Sequence, residues 1–242
     1  MKPLQHDLVV LFDHDGTVVD SETIALESAW RLTSEVAREF AGAQHYELDE
    51  FVKSFAGKPY REILKKIYAD SLTTLNERDI DRLVAEEEKR AIERLNVEAK
   101  ATEGTPEVLS YLRDDGFEYA LVSNSSLQRL SACLGAAALT DYFPSQQVFS
   151  AHDSLPVARP KPLPDIYLYA VKCLDADVSD CVAVEDSISG VKSAVAAGIG
   201  QIIGYVGGTH VSEDERTSRA DALMSAGAQQ IIERMHDLIG LL

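Results

Sequence analysis

An apolar run from Leu8 to Phe12 leads straight into Asp13-His14-Asp15-Gly16-Thr17. An unbroken run of this length suits a strand buried on both faces, as in a parallel sheet. Strand side chains alternate with period two, so Asp13 and Asp15 point to one side if the extended backbone lasts that far. His14 then points away from both and serves packing or hydrogen bonding. Two carboxylates at the end of a buried strand are costly unless they meet a cation or perform chemistry.

Beyond that strand the chain is helical in pattern as far as about Lys100. Ser21 is a candidate cap for a helix over 22–40, with Trp30, Leu32, Val36 and Phe40 at near-helical spacing. A shorter helix over 46–56 ends at Gly57, and Pro59 opens the next, with Ile63, Leu64 and Ile67 on one face. A long charged helix runs from Asn76 to about Leu95, with Ile80, Leu83, Val84, Ile92 and Leu95 on its apolar side. From Thr102-Glu103-Gly104-Thr105-Pro106 onward, strands and helices alternate. Helices are predicted over 106–115 (with Gly116 as C-cap), from Ser126 to about Leu134, from a cap at Asp165 to Cys173, over 190–197 before Gly198, and from about Ala228 to Leu238. Strands are predicted over 119–122, 147–150 (weakly), 181–184 and 201–205. Such alternation gives an α/β fold, a Rossmann-like doubly wound parallel sheet formed by residues 1–20 and 101–242. Residues 21–100 form an all-helical cap inserted after the first strand, a lid over the strand ends.

In open parallel sheets ligands bind at the carboxyl ends of the strands. Here those ends carry Asp13 and Asp15, Ser123 and Asn124, and Glu185 and Asp186, while Lys161 lies in a loop stiffened by Pro160, Pro162 and Pro164. Carboxylates hold a hard cation that bridges phosphate oxygens, and a lysine and backbone N–H groups neutralise the others. One carboxylate can attack phosphorus, and a second can move the protons. Each piece has a duller reading: a turn at Asp13–Gly16, helix caps at Ser123–Ser126, a solvated Lys161, an acidic helix start at Glu185-Asp186-Ser187. Their joint placement at successive strand ends favours a magnesium-dependent phosphoryl-transfer site.

At these residues the chain resembles the haloacid dehalogenase-like superfamily, in particular its capped phosphatases and beta-phosphoglucomutase-like enzymes. The likeness covers nearly the whole chain. Phe12-Asp13-His14-Asp15-Gly16-Thr17 looks like the first motif, Ser123 the second, Lys161-Pro162-x-Pro164-Asp165-x-Tyr167 the third, and Glu185-Asp186-Ser187-x-x-Gly190 the fourth. The resemblance implies Asp13 as nucleophile and magnesium ligand. Asp15 would be the general acid/base, with its backbone carbonyl on the metal. Ser123 and Lys161 would bind the phosphoryl group, with Asn124 a candidate substrate contact; Asp186 would complete the Mg2+ site, with Glu185 nearby as ligand or support. It also implies phosphoryl transfer over carbon–halogen cleavage, because the family's dehalogenases lack an acid at the position of Asp15. His14 departs from the usual apolar residue.

Within the insert, Phe55-Ala56-Gly57-Lys58-Pro59-Tyr60-Arg61-Glu62 resembles a substrate-specificity loop, making Gly57, Lys58 and Arg61 candidate substrate contacts; equally, Lys58 and Arg61 are exposed helix-start residues. The substrate expected is a small sugar or polyol phosphate. A mutase of the beta-phosphoglucomutase type is the alternative. Ala25 stands where such mutases carry a His, which favours hydrolysis; Tyr60 stands where they carry a cap Arg, although Arg61 is adjacent. A phospho-acceptor signalling domain also sets Asp, Ser/Thr and Lys at strand ends, but it has no helical insert and its phosphorylated Asp is not on the first strand.

A net charge of -17 argues against nucleic-acid binding, and the acid excess reads as a solvated surface. An anionic substrate then needs a locally positive site, which bound magnesium with Lys58, Arg61 and Lys161 would supply. Cys133, Cys173 and Cys181 show no CxxC spacing and read as reduced core thiols. No stretch approaches the roughly 20 apolar residues of a membrane span, and no leader pattern opens the chain. A soluble cytoplasmic monomer or weak homodimer is expected.

Overall fold

The computed structural model describes residues 8–37, 45–69 and 75–242. It divides into two compact units. One holds the described residues up to Asp20 together with Lys100–Leu242, the other the described residues of Ser21–Ala99. In chain order the first unit opens with strands β1 (Val9–Phe12) and β2 (Val19–Asp20). The second unit comes next, with helices α1 (Glu22–Val36), α2 (Leu48–Phe55), α3 (Tyr60–Ile67) and α4 (Glu77–Glu98). The chain then returns through β3 (Lys100–Ala101), α5 (Thr105–Asp115), β4 (Glu118–Ser123), α6 (Leu127–Ala136), β5 (Val148–Ser150), α7 (Asp165–Cys173), β6 (Cys181–Glu185), α8 (Ile188–Ala197), β7 (Gln201–Tyr205), α9 (Glu213–Ala226) and β8 (Gln230–Ile232). A 3-10 segment, Met235–Leu241, comes last.

The first unit is built on a six-stranded sheet in the order β5-β4-β1-β6-β7-β8, with every pairing parallel. β1 lies between β4 and β6, with Leu11 opposite Ala120 on one side and Ala183 on the other. That central place explains its unbroken apolar run. Val9 and Leu11 join one cluster with Ile166, Ala170, Val191, Ala194 and Leu223 of α7, α8 and α9. Val10 and Phe12 are equally buried, and alternation turns them to the opposite face. After β5 the order reverses, because β6 returns to the far side of β1. The β1/β6 boundary is therefore a topological switch point, where the loops after the two strands part and leave a crevice.

Several boundaries shift, and one expected element is replaced. β4 and β6 each run on by one residue, to Ser123 and Glu185, so these strands carry their polar end residues within the sheet. The helix expected over 228–238 is absent. Gly227, at φ 119°, ends α9, and Ile231 and Ile232 pair with Gly204 and Tyr205 as β8. Periodicity hides α9 because Leu223 is its only buried residue. Asp165 is the first residue of α7 rather than its cap, and its carboxylate pairs with Arg159.

In the second unit, α1 to α4 pool an apolar core that includes Leu26, Leu32, Phe51, Phe55, Ile63, Leu64, Ile67, Ile80 and Leu83. α4 starts where Asn76 Oδ1 accepts the Asp79 N–H at 2.9 Å, while Ser21 makes no such side-chain cap, being buried and in helical conformation itself. Phe40, the expected end of α1, lies outside the described residues. Among the described residues no helix is long and apolar enough to cross a membrane.

Candidate active site

The loop after β1 decides where its two carboxylates go. Asp13 continues the strand by donating its N–H to Val184 O at 2.9 Å. The backbone then folds back. The N–H groups of Thr17, Val18 and Val19 converge on His14 O, and Gly16 N donates to Val19 O at 2.8 Å. Gly16 makes this turn at φ 80°, and a Cβ there would meet Asp186 Oδ2 at 2.6 Å and His210 Cε1 at 2.7 Å. The extended backbone therefore does not last to Asp15, which was the condition for alternation to set both carboxylates on one side, and the two take different partners. Asp13 Oδ1 accepts from Lys161 Nζ at 2.6 Å. Asp15 goes instead to Ser125 Oγ at 2.6 Å and Arg129 Nη2 at 3.2 Å. His14 does not point away either, since its Nδ1 lies 3.4 Å from Asp15 Oδ2.

Lys161 is held on all sides. Its ammonium also donates to Val122 O at 2.6 Å and Glu185 Oε1 at 2.5 Å, one acceptor for each of its protons. Burial disfavours its charge, but Asp13 and Glu185 outweigh that and hold its pKa above the usual lysine value. Asn124 fixes the loop that delivers it, accepting from Lys161 N at 2.7 Å through Oδ1. The Asn124 amide, expected to meet substrate, is thus committed to the Lys161 backbone. Ser123 is buried beside it, its Oγ accepting the Ser125 N–H at 3.0 Å.

Glu185 is fully buried and accepts from Tyr167 Oη at 2.6 Å as well as from Lys161. Its carboxylate lies directly against Gly190, where a Cβ would fall 1.7 Å from Oε2. Asp186 Oδ2 faces His210 Nε2 at 3.1 Å, and its carbonyl accepts from Arg219 Nε at 3.1 Å. One oxygen each from Asp13, Glu185 and Asp186 lie within 4.8 Å of one another. The side chain of Asp15, expected with them only through its main-chain carbonyl, is outside this group. With all three ionised, as a bound cation would keep them, three carboxylates against one ammonium put the cluster at net −2. Burial, followed by the opposing pull of Lys161 and the repulsion of Glu185 and Asp186, leaves the Asp13 carboxyl well above its usual range. For Asp15 burial again favours the neutral acid, but Arg129, His14 and Ser125 prevail and hold its carboxyl well below that range. An all-oxygen, doubly negative, buried donor set fits a hard divalent cation.

The insert residues take other partners within their own unit. Gly57, at φ 72°, donates its N–H to Glu22 Oε1 at 2.5 Å. Lys58 Nζ donates to Ser54 O at 3.1 Å. Arg61 pairs with Glu77 at 2.7 Å and with Asp81, which accounts for its guanidinium locally. Sequence reasoning missed Arg129, His210 and Arg219. His210 was within reach of the strand-end rule, since it comes after β7 and Gly207-Gly208; Arg219 lies mid-helix and carries no such signal.

Comparison with known proteins places the chain in a family. A family model described as haloacid dehalogenase-like hydrolase matches residues 8–198. The chain is 34% identical to hexitol phosphatase A of Escherichia coli over 78% of each chain. It is 29% identical to a phosphorylated carbohydrates phosphatase of Thermotoga maritima over 93% of each. The crystal structure of a haloacid dehalogenase-like protein from Agrobacterium tumefaciens superposes with a TM-score of 0.79 at 33% identity, over 98% of this chain and 97% of that one. By sequence and by fold, the chain belongs to the haloacid dehalogenase-like hydrolases.

Proposed function

We propose that the protein is a magnesium-dependent phosphatase of a small sugar or polyol phosphate, working in the cytoplasm as a monomer or weak homodimer. The observation that carries this reading is the buried Asp13, with Lys161 at 2.6 Å and two further carboxylates beside it. The names of the carbohydrate and hexitol phosphatases to which the chain is similar support the substrate class.

Asp15, held ionised in the free site, takes up a proton as the anionic substrate binds; Asp13 then attacks phosphorus, the bond from phosphorus to the leaving oxygen breaks, and Asp15 gives that oxygen the proton. Asp15 then takes a proton from water, which attacks the aspartyl phosphate, and the Asp13–phosphorus bond breaks to release phosphate. Lys161 and Ser123 hold phosphoryl oxygens, and Asn124 keeps Lys161 in place. Asp13, Asp186 and Glu185, with the main-chain carbonyl of Asp15, would hold Mg2+, which supplies charge neutralisation for the phosphoryl group. The helical unit of Ser21–Ala99 selects the substrate.

A phosphate-release screen over sugar, polyol and nucleotide phosphates with Mg2+ tests the proposal. Release is expected from a sugar or polyol phosphate and is abolished in Asp13→Asn. Full turnover in that variant removes the nucleophile, and isomerisation of a sugar bisphosphate without phosphate release replaces hydrolysis by mutase chemistry.

A further inference from the structure

A lysine or arginine in the first turn of a helix opposes the macrodipole. Arg129 is the third residue of α6, and its own N–H reaches the cap, Ser126 Oγ, at 3.3 Å. Its side chain is only 16% exposed and turns to Asp15, with Nη2 at 3.2 Å from Oδ1. On the other carboxylate oxygen, Ser125 Oγ donates at 2.6 Å. Both partners sit on firmly fixed backbone. Ser150 Oγ, at the end of β5, donates to Ser125 O at 2.7 Å, and Asp153 Oδ2 accepts the Leu127 N–H at 2.6 Å. The guanidinium and the hydroxyl therefore grip the two oxygens of one carboxylate, on the β4 side of β1. Lys161, which Glu185 also holds, engages Asp13 through a different set of contacts.

We infer that Arg129 is a positioning residue which, with Ser125, berths the Asp15 carboxyl beside the start of α6 and so fixes the place from which a proton reaches the leaving oxygen. The inference rests on the phosphatase reading above. A purely structural ion pair would tie the β1 loop to α6 and affect every substrate alike. A positioning residue acts through the proton and so discriminates by leaving group. An alkoxide leaving group needs protonation as the phosphorus–oxygen bond breaks, whereas p-nitrophenolate departs without it. Since kcat/KM reports only steps up to the first irreversible one, it isolates formation of the aspartyl phosphate from its hydrolysis.

The test measures kcat/KM for a hexitol 6-phosphate and for p-nitrophenyl phosphate in wild type, R129M, R129K and S125A. General acid catalysis is worth about 10²–10⁴-fold, so loss of its positioning in R129M is expected to lower the hexitol phosphate value at least about tenfold more than the nitrophenyl value. R129K is expected to recover part of that difference, and S125A to show the same sign at smaller size. Should R129M not fold, S125A carries the test alone. Equal losses on the two substrates, or no loss, overturn the inference while leaving the phosphatase reading intact. A wild-type chain that releases phosphate from neither substrate overturns that reading instead.

Discussion

Replacing Gly190 by alanine sets two physical effects of opposite sign against each other. Gly190 is in the first turn of α8, and helix propensity alone makes alanine better by about 1 kcal/mol. Space says the reverse. The new Cβ would fall 1.7 Å from Glu185 Oε2 and 2.0 Å from its Cδ, far inside contact distance. Glu185 is fully buried and cannot move without loosening its 2.5 Å bond to Lys161 and its 2.6 Å bond to Tyr167. Disrupting a buried, paired charge costs about 3–5 kcal/mol. The sum is a net destabilisation of about 2–4 kcal/mol, read as a shift of the urea midpoint of the first unfolding transition. Two controls isolate the cause. Gly135→Ala, also helical, has nothing within 4 Å of its added Cβ and is expected to be neutral or slightly stabilising. In a Glu185→Ala background the Gly190→Ala step is expected to lose its cost, giving a coupling energy of several kcal/mol in the double-mutant cycle. A Gly190→Ala variant as stable as wild type, or one equally destabilised in both backgrounds, would refute the steric account of this glycine.

Three other outcomes rest on the charges and their partners. Asp13 has its pKa raised in the fold, so the protonated group adds stability below the ordinary value near 3.8, and that contribution is lost as pH rises through the raised value. In EDTA, Asp13→Asn is therefore expected to melt above wild type at neutral pH, by a margin that shrinks on acidification across that window; a constant margin contradicts the assigned strain. Asn124→Ala frees the backbone of Lys161 from its 2.7 Å tether and is expected to lower kcat/KM about tenfold with folding intact by near-UV circular dichroism; unchanged kinetics would detach Asn124 from Lys161 placement. Arg61, with a 37% exposed side chain paired to Glu77 and Asp81, is expected on replacement by alanine to leave KM within about twofold and to cost at most about 1 kcal/mol, so a large rise in KM would show that it reaches substrate after all.

The main lines of the sheet could be read from the chain because buried parallel strands announce themselves. Leu8–Phe12 and Cys181–Glu185 are apolar runs that end in acids, and strand ends are where a parallel sheet gathers its polar groups. Lys161 was findable because prolines on either side stiffen its loop. The direction of Asp15 was not, because it depends on Gly16 turning the backbone onto His14 O, and the partner Arg129 lies 114 residues further on. Arg61 looked available for the same reason: Glu77 and Asp81, which bind it, belong to another helix. α9 left no apolar stripe to detect. The Ser212-x-x-Glu215 pattern at its start was a local signal, and Ser212 N does donate to Glu215 Oε2 at 3.3 Å.

The small ribbon of β2 and β3 has a consequence for how the chain can vary. It pairs Val19 with Ala101 and Asp20 with Lys100, and Thr102 ties in behind it through a 2.6 Å bond to Thr17 O. The chain therefore leaves for its helical unit and comes back at one clasped point. For the sheet, all of Ser21–Ala99 is a single loop whose two ends are already joined. Loop-closure entropy grows only with the logarithm of length, so doubling such a segment costs about 0.6 kcal/mol. Helices can thus be lengthened, traded or recombined beyond the clasp while the backbone that turns at Gly16 and carries Asp13 stays where it is. Changes within that one contiguous stretch therefore leave the turn that carries Asp13 undisturbed.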